Sequence, residues 1–531
     1  MGGSSLQFLL TSILLLLCMK PTIANYSGLV DTHLGCKEHE RQALLKIKED
    51  IIDDYGYLSS WSSDQDCCKW SGVRCSDQTD NVIMLNLNAS FFPLRPLRGK
   101  LNPSLLELKY LTYLDVSNND FNYSQIPEFI ASLSNLRHLD LNSANFGRNI
   151  PFQLGNHFNL QYLDLSWNNF NKLENIEWLP QLSSLEYLRM DAVNLSKVNN
   201  WLHVVNRLPY LTSLFLRFCN LQNIFSVPLV NSSTSLDVLN LSYNNLTSSS
   251  SVLQWLFNSN TSVVELYLDD NQFQGLIPDA LSKINSLAHL YLGYNEFEGE
   301  IPKAFGGMCN LKTLDLSGNF LSGQLLDFIQ NLSGCAKHSL EGLSFSQNQI
   351  MGSIPVSLGK LSNLESLYLG DNSLEGVISE AHFSKLTKLK SLYLSNTSLI
   401  FNISSDWIPP FQLSNINLQF CQLGPRFPKW LQTKRYYYSL DISNSGISDS
   451  LSNFNFVFSH QLNYMNLSYN HISGQIPKFS LEFTFSPIID LSSNKLSGRI
   501  PKFLFESTYL DLSKNMLSGP IFSLCKVKMG I

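Results

Sequence analysis

The stretch Leu311–Leu325, LKTLDLSGNFLSGQL, contains the pattern from which most of the chain is built. Leu311, Leu314 and Leu316 are separated by polar residues, as expected for a short strand with one buried face. Asn319 follows three positions after the last of these leucines. The preceding repeat fills the same slots with Leu287, Leu290, Leu292 and Asn295. This recurrence after 24 residues predicts an array of similar units.

The asparagine slot has a physical purpose in such an array. Each unit must turn after its strand, and a side-chain amide offers donors and an acceptor to the backbone groups buried there. The slot recurs mostly every 24 or 25 residues, at Ser90, Asn119, Ala144, Asn168, Val193, Cys219, Asn244, Asn271, Asn295, Asn319, Asn348, Asn372, Thr397, Cys421, Ser445, Asn470, Asn494 and Asn515. About eighteen coils at this period predict a leucine-rich-repeat solenoid. Ala144 and Val193 have no polar side chain, so we expect their coils to be locally weaker.

The predicted fold is an α/β leucine-rich-repeat solenoid, a curved right-handed superhelix with a parallel β-sheet on its concave side. Residues 82–531 would form the repeats, and residues 25–81 an N-terminal disulfide cap that shields the first coil. In residues 1–24, a short apolar run precedes small residues, which predicts a cleaved signal peptide. No other stretch approaches the roughly 20 apolar residues of a membrane helix.

Four cysteines surround one amphipathic segment near the N-terminus. Export favours disulfides among Cys36, Cys67, Cys68 and Cys75. Cys67 and Cys68 are adjacent and cannot easily pair with each other, so we predict bonds between Cys36 and Cys67 and between Cys68 and Cys75. In this segment the spacing of Ala43, Leu44, Ile47 and Ile51 predicts a helix, and Trp61 and Trp70 are expected to fill the core.

The remaining cysteines fall into different classes. Cys309 and Cys335 lie at comparable places in successive coils, so we expect them to form a bridge. Cys219 and Cys421 occupy the asparagine slot and are expected to be free. Cys525 is left without a partner in this sequence.

The cap and the coils together resemble a known family. A paired-cysteine cap, which begins with the segment CKEHERQALLKIKEDI, is followed by coils that read LxxLxLxxNxLxGxIP. The GxIP element stands at Gly275–Pro278, Gly299–Pro302, Gly352–Pro355, Gly474–Pro477 and Gly498–Pro501. This arrangement is similar to the extracellular regions of plant leucine-rich-repeat receptors. It resembles in particular the receptor-like proteins that perceive fungal xylanase and the ectodomains of related receptor kinases.

The resemblance implies an extracellular ligand-recognition region with a role in plant defence. Its partners would be a protein or peptide ligand and, in the full-length form at the plasma membrane, a co-receptor kinase that transmits the signal. The alternative is a soluble secreted inhibitor of microbial cell-wall-degrading enzymes, similar to the polygalacturonase inhibitors. The sequence contains no kinase or hydrolase motif, so we expect no enzymatic activity.

Composition excludes several other classes of partner. The net charge is −6 and only 15% of residues are charged, which does not favour nucleic acid or a membrane surface. The 10 histidines are scattered along the chain, so we expect neither a metal site nor a cofactor.

The sequence stops at Ile531 inside a repeat, whereas the family continues with further coils, a second cap and a membrane helix. We therefore expect a C-terminally truncated form, either a fragment or a natural short form, with a membrane attachment only through a helix that is missing here. Leu510, Leu512, Leu517 and Ile521 would then lack a covering coil, which predicts self-association.

Residues between the strand leucines are expected to face outwards on the concave side. In this column aspartate predominates in the early coils, at Asp115, Asp140 and Asp164, and aromatic residues predominate in the middle. Exposed aromatic residues beside charges are favoured in protein interfaces. The candidate ligand-binding residues are therefore Arg189, Phe215, Arg217, Tyr267, Tyr291, Tyr368 and Tyr393. The alternative is that aspartate and tyrosine are simply common, solvated residues at these slots.

Sequons for N-linked glycosylation are dense, as expected for a secreted glycoprotein. The candidate acceptors are Asn88, Asn122, Asn194, Asn231, Asn245, Asn260, Asn331, Asn396 and Asn402. Asn25, Asn240 and Asn466 also stand in sequons. A glycan at Asn240 or Asn466 would lie on the concave face and limit where a ligand can bind.

Overall fold

The structure is a computed structural model that describes residues 35–519, with gaps at residues 64, 90–94, 225–235, 259–261, 434–436, 454–458 and 478–481. Several sequence predictions lie outside the described residues. They are the signal peptide, the slot at Ser90, the sequons at Asn25, Asn231 and Asn260, and the C-terminal Ile521 and Cys525.

One long sheet runs through the described chain and lines the concave side of a curved right-handed superhelix, as predicted. Its first pair of strands is antiparallel, and each later pairing is parallel, coil upon coil. The register keeps leucine beside leucine, as where Leu314 pairs with Leu290 on one side and Leu343 on the other. The strands are Val73–Cys75, Val82–Asn86, Tyr113–Asp115, His138–Asp140, Tyr162–Asp164, Tyr187–Arg189, Ser213–Phe215, Val238–Asn240, Glu265–Tyr267, His289–Tyr291, Thr313–Asp315, Gly342–Ser344, Ser366–Tyr368, Ser391–Tyr393, Asn415–Asn417, Ser439–Asp441, Tyr464–Asn466, Ile488–Asp490 and Tyr509–Asp511.

Shorter sheets form beside the main one, after the turn that follows each main strand. A six-stranded parallel sheet contains Gln274–Leu276, Glu296–Gly299, Phe320–Gln324, Gln349–Gly352, Ser373–Ile378 and Ser398–Phe401. A three-stranded sheet contains Ser473–Gln475, Lys495–Arg499 and Met516–Ser518. Two-stranded pairs join Gly147–Arg148 to Asn169–Phe170 and Ile51–Ile52 to Arg98–Gly99. The GxIP glycine lies here, and at Gly275 its φ of 80° requires a residue without a Cβ.

Helices and 3-10 turns complete each coil. The α-helices are Glu38–Glu49, Trp201–Val205, Ser251–Asn258, Leu325–Asn331 and Glu380–Phe383. The 3-10 turns are Cys67–Lys69, Pro103–Glu107, Glu128–Ser132, Phe152–Asn156, Leu179–Gln181, Asp279–Lys283, Lys303–Gly307, Cys335–His338, Val356–Lys360, Lys429–Thr433, Leu451–Asn453 and Lys502–Glu506. In coils with GxIP the proline precedes the turn, as Pro278 does before Asp279–Lys283.

The asparagine slot behaves as its chemistry predicts. Asn319 donates from Nδ2 to the carbonyl oxygens of Leu292 at 3.0 Å, Leu316 at 3.1 Å and Ser317 at 3.2 Å. Its Oδ1 accepts a bond of 3.0 Å from the backbone nitrogen of Phe297. One amide therefore satisfies backbone groups of two successive coils.

Other polar residues at this slot make one of the hydrogen bonds that the asparagine amide makes in other coils. Cys219 donates from Sγ to the Met190 carbonyl, and Ser445 donates from Oγ to the Leu418 carbonyl, each over 3.1 Å. These bonds reach back one coil, as those of asparagine do. Ala144 has no such side-chain group, so its bonds are those of the backbone: its nitrogen donates to Oδ1 of Asn168 at 3.3 Å and its carbonyl accepts from the Phe121 nitrogen at 3.0 Å.

The cap forms around the helix Glu38–Glu49, whose buried face contains the predicted Ala43, Leu44 and Ile47. Trp61 and Trp70 are buried and stack with their ring centroids 5.4 Å apart. Glu40 is also buried, a feature that the sequence pattern does not reveal. Its Oε2 accepts a bond of 2.9 Å from the backbone nitrogen of Val82, which ties the helix to the first sheet strands.

The disulfides of the structure have the predicted pairing. Cys36 is bonded to Cys67, Cys68 to Cys75, and Cys309 to Cys335 in the next coil. Among the described residues, the free cysteines are Cys219 and Cys421, and both are buried.

Candidate functional site

The predicted ligand-binding residues lie on the concave sheet and form three groups. The strand register places Arg189 beside Phe215, Tyr267 beside Tyr291, and Tyr368 beside Tyr393. Asn240 separates the first group from the second, and Asp315 with Ser344 separates the second from the third. Six of the predicted residues therefore share one column without forming one continuous patch, and Arg217 lies outside it, two residues beyond the strand Ser213–Phe215.

The first group is organised around Asp191, whose position after a strand predicts an exposed side chain but whose carboxylate is buried. Asp191 has a fully buried side chain, and its Oδ2 accepts bonds from Arg189 Nε at 2.7 Å and from Arg217 Nε at 2.9 Å and Nη2 at 2.8 Å. The guanidinium of Arg189 also lies 5.6 Å from the centre of the Phe215 ring. Both arginine side chains thus pair with Asp191 and also remain partly exposed to solvent.

The tyrosines form two pairs with different geometry. The rings of Tyr267 and Tyr291 stack with centroids 4.6 Å apart and planes 5° apart, and Tyr267 donates a hydrogen bond of 2.8 Å to Glu265. The rings of Tyr368 and Tyr393 are 4.7 Å apart with planes tilted by 36°. All four side chains are half-buried. They combine fixed orientation with exposed surface, which suits an interface.

The prediction that every residue of this column faces solvent is wrong for several polar residues. Asp115, Asp164, Asn240 and Asp441 are at least nine-tenths buried. Each occupies the end of a strand, where its side chain accepts the backbone N–H two residues later, as Asp115 does from Ser117 at 2.9 Å. The aspartates of the early coils therefore cap strand ends, and this structural role explains their frequency.

An aromatic stack runs along the neighbouring column of the same strands and ends against Phe215 of the first column. Tyr113, His138, Tyr162, Tyr187 and Phe215 follow one another with ring centroids 4.0, 4.0, 4.3 and 5.4 Å apart. Stacked rings of this kind hold each other in place. The stack gives five successive strands of the N-terminal part of the concave face a continuous aromatic surface.

Burial changes the charge of two groups in and beside this stack. Desolvation raises the pKa of Asp140 to about 7, and the neighbouring carboxylates raise it further while the backbone N–H of Asn142 and the charge of Arg189 oppose the rise. Desolvation lowers the pKa of His138 to about 4, so its ring is neutral at the pH of most compartments. The middle of the stack therefore carries less charge than its sequence indicates.

A second row of aromatic residues, which was not predicted from the sequence, lies one position before the asparagine slot. Trp167, Phe218, Tyr243 and Tyr294 are all more than two-fifths exposed, and their φ angles lie between 52° and 58°. Glycine, asparagine and aspartate accept this left-handed conformation more readily than bulky residues. The rings of Phe218 and Tyr243 stack 4.2 Å apart. The sequence did contain a sign of this row, because most other coils have a small or polar residue at the position before the asparagine slot.

The described sequons differ in exposure. Asn122, Asn245, Asn396 and Asn402 are exposed. Asn88, Asn194 and Asn331 are half-buried, and Nδ2 of Asn331 donates to the Ile301 carbonyl at 3.1 Å. Asn240 is buried and accepts a bond from Ser242.

The described residues contain no group of three or more His, Cys, Asp or Glu placed to hold a metal ion. In the same part of the chain, none of the helices combines the length and the apolar composition that crossing a bilayer requires.

Two kinds of family model match the sequence. Residues 37–76 match the leucine rich repeat N-terminal domain. Residues 261–321 match a leucine rich repeat model, and residues 110–133, 159–182 and 339–361 match a second one. The matches cover the cap and several coils in the early and central parts of the chain.

Curated relatives extend the similarity over most of the chain. The sequence is 36% identical to receptor-like protein EIX2 of Solanum lycopersicum over 93% of this chain and 58% of the relative. It is 35% identical to receptor-like protein EIX1 of the same species over 88% of this chain and 55% of the relative. The chain thus spans little more than half the length of these two relatives.

Solved structures with the same architecture include two receptor ectodomains in complex with peptides. The ectodomain of the Arabidopsis receptor kinase HAESA, in complex with an IDA peptide hormone, has a TM-score of 0.58, 26% identity and 92% coverage of both chains. The PEPR1–AtPEP1 complex has a TM-score of 0.52 and 26% identity, with coverage of 92% of this chain and 77% of the other.

Proposed function

The chain belongs to the leucine-rich-repeat proteins and is similar over most of its length to plant receptor-like proteins, and from this premise we propose that it is the extracellular ligand-recognition region of such a receptor. Its role is in plant defence, and its ligand is a protein or peptide that binds the concave face. The alternative function as an inhibitor of wall-degrading enzymes receives no support from these relatives, which are receptor-like proteins.

The observation that carries this proposal is the row of half-exposed aromatic side chains on the concave sheet. Tyr267 stacks on Tyr291 and Tyr368 contacts Tyr393, and each pair is held by the strand register. Tyrosine supplies a large contact area with little loss of side-chain entropy, so it is favoured at interface hot spots. The peptide complexes of HAESA and PEPR1 support a ligand of the same class here.

Signalling and location follow from the same premise. Because the curated relatives are receptor-like proteins, we infer that this region recognises its ligand without enzymatic activity of its own and that the signal passes to a co-receptor kinase. A signal peptide in residues 1–24, three disulfides and exposed sequons at Asn122, Asn245, Asn396 and Asn402 fit an extracellular or cell-surface location.

The test is a selection of binding peptides on the protein secreted from a plant expression host. A displayed random dodecapeptide library is selected on the wild-type chain, and the affinities of the recovered peptides are then measured on two variants. The concave variant is Tyr267→Ala with Tyr291→Ala. The matched control is Tyr110→Ala with Tyr210→Ala, two tyrosines that are 55% and 63% exposed away from the strands.

We expect the concave variant to weaken binding by more than about 1 kcal/mol, or roughly fivefold in Kd, because stacked tyrosines of this kind are hot spots. The control should bind as the wild type does. Peptides that bind both variants equally well would place ligand recognition elsewhere.

A further inference from the structure

A cavity of about 500 Å³ opens on the concave face between the two tyrosine pairs. Tyr291 stands at one end and Tyr368 at the other, with two intervening strands that carry Asp315 and Ser344 in the same column. At the spacing of adjacent strands, three steps separate the tyrosines by roughly 14 Å. We call this cavity the acidic slot.

Small residues make the floor of the acidic slot. The first exposed residue of each strand is Thr313, Gly342 or Ser366 here, whereas the aromatic stack occupies this column in the early coils. Ser344 continues the gap in the neighbouring column. Because bulky side chains are missing from these positions, the sheet surface between Tyr291 and Tyr368 has room for the cavity.

The charges of the slot have one sign. Asp315, Glu341 and Glu365 line it, and its lining contains no lysine or arginine. Asp315 uses Oδ1 to accept both of its bonds from Ser317, at 2.9 and 2.5 Å, which leaves Oδ2 for a ligand. Glu341 and Glu365 lie on adjacent coils, because the Glu365 backbone nitrogen donates to the Glu341 carbonyl. Like charges in such neighbouring positions are unfavourable unless a cation compensates them.

Two lysines outside the slot compensate only in part. Lys312 lies 3.7 Å from Glu341, and Lys390 lies 2.6 Å from Glu365. All four side chains of these pairs are 39–59% exposed. Exposed pairs of this kind are weak because water screens them, so they do not prevent either glutamate from binding a cation in the slot.

We propose that the acidic slot binds one basic side chain, arginine or lysine, of the peptide or protein ligand. Carboxylates accept charge-assisted hydrogen bonds from a guanidinium or ammonium group, and a tyrosine ring stands at either end of the slot, where it can offer its face to a cation bound beside it. A compact metal ion does not fit, because the carboxylates are not grouped at metal-ligand distances in the described part of the chain. The proposal rests on the proposed function and adds the chemical class of the ligand.

The test uses the peptides recovered from the dodecapeptide selection. The slot variant is Asp315→Asn with Glu341→Gln and Glu365→Gln. The fold tolerates asparagine at the position of Asp315, since Asn240, Asn417 and Asn466 occupy it in other coils. The matched control makes the same change of charge in exposed 3-10 turns, with Glu107→Gln, Glu128→Gln and Asp279→Asn.

The wild-type selection should enrich arginine or lysine above the input library. The recovered peptides should bind the slot variant at least about tenfold more weakly than the control. Replacement of the peptide's arginine by citrulline, which keeps the shape and removes the charge, should weaken binding to the wild type and leave binding to the slot variant unchanged.

Two other outcomes would overturn the proposal in different ways. Peptides that depend on Tyr267 and Tyr291 but bind the slot variant normally would refute the acidic slot and leave the proposed function intact. Peptides that depend on neither the tyrosines nor the slot, or a selection that recovers no binder, would refute both.

Discussion

Arg217 donates two hydrogen bonds from its guanidinium to the buried Oδ2 of Asp191, one coil earlier, and a third from its backbone nitrogen to Oδ1. The two residues are 26 positions apart in sequence and in adjacent coils of the solenoid. Arg189 completes the neutralisation of the same carboxylate. The basic residues of the concave face are therefore part of the packing as well as of the surface.

Loss of both arginines should destabilise this part of the solenoid. The double substitution Arg189→Ala and Arg217→Ala would leave Asp191 charged and buried, at a cost of roughly 3–5 kcal/mol. Because each coil contacts only its neighbours, the effect should be local, and hydrogen exchange of the strands Tyr162–Asp164 to Val238–Asn240 measures it.

Adding Asp191→Asn to this variant should recover part of the protection. The matched control is Arg207→Ala, which removes an exposed ion pair with Glu177 and should change stability by less than about 0.5 kcal/mol. Equal exchange in the double variant and the control would show that the buried carboxylate needs no partner.

The buried carboxyl of Asp140 predicts a pH dependence of stability. Desolvation raises its pKa from 3.8 to about 7, so the folded state holds a proton that the unfolded state releases. This contribution to stability is complete below about pH 4 and is lost as the pH rises through 7. Asp140→Asn should therefore raise the melting temperature at pH 8 and have little effect at pH 4, whereas the exposed Asp279→Asn should change it at neither pH. A lower melting temperature for Asp140→Asn at pH 8 would contradict the assigned pKa.

The asparagine slot predicts a large effect of a small substitution. Asn319→Ala leaves carbonyls of two coils and the N–H of Phe297 without their partner. Each buried group left unpaired costs about 1–3 kcal/mol, so faster exchange is expected in the two adjoining coils. Asn285→Ala, at an exposed position outside the slot, is the control and should behave as the wild type. Unchanged exchange in Asn319→Ala would mean that water satisfies these groups.

The cysteines predict a specific pattern of thiol reactivity. Burial raises the pKa of Cys421 to about 11 and raises that of Cys219 as well, and both side chains are shielded from reagents. Alkylation of the native protein should therefore spare them, and denaturation should expose both. Peptide mapping without reductant should recover the three disulfide-linked pairs around Cys36, Cys68 and Cys309. Modification of Cys219 in the native state would show that its coil opens readily.

The fold was accessible from the sequence because it repeats. The period identifies, in each coil, the residues equivalent to Leu314, Leu316 and Asn319, and local rules then give their roles. Packing then follows from stacking one coil upon the next.

The candidate site was only partly accessible, because it depends on contacts between coils. Alternation along a strand predicts that Asp115 faces outwards, but its carboxylate folds back onto Ser117 and is buried. The role of Asp191 requires two arginines from different coils, and the acidic slot is defined by residues that are small rather than by a motif. No single repeat contains this information.

A glycan placed on the concave face tests ligand recognition there most directly. Ser344→Asn creates the sequon Asn-Phe-Ser at the centre of the sheet, and Ser132→Asn creates Asn-Leu-Ser in an exposed 3-10 turn. The measurement is the affinity of the selected peptides for each secreted, glycosylated variant before and after enzymatic removal of the glycan. The account predicts that the glycan at position 344 abolishes binding, that its removal restores binding, and that the glycan at position 132 has no effect. Full binding to a protein with an occupied glycan at position 344 would contradict it.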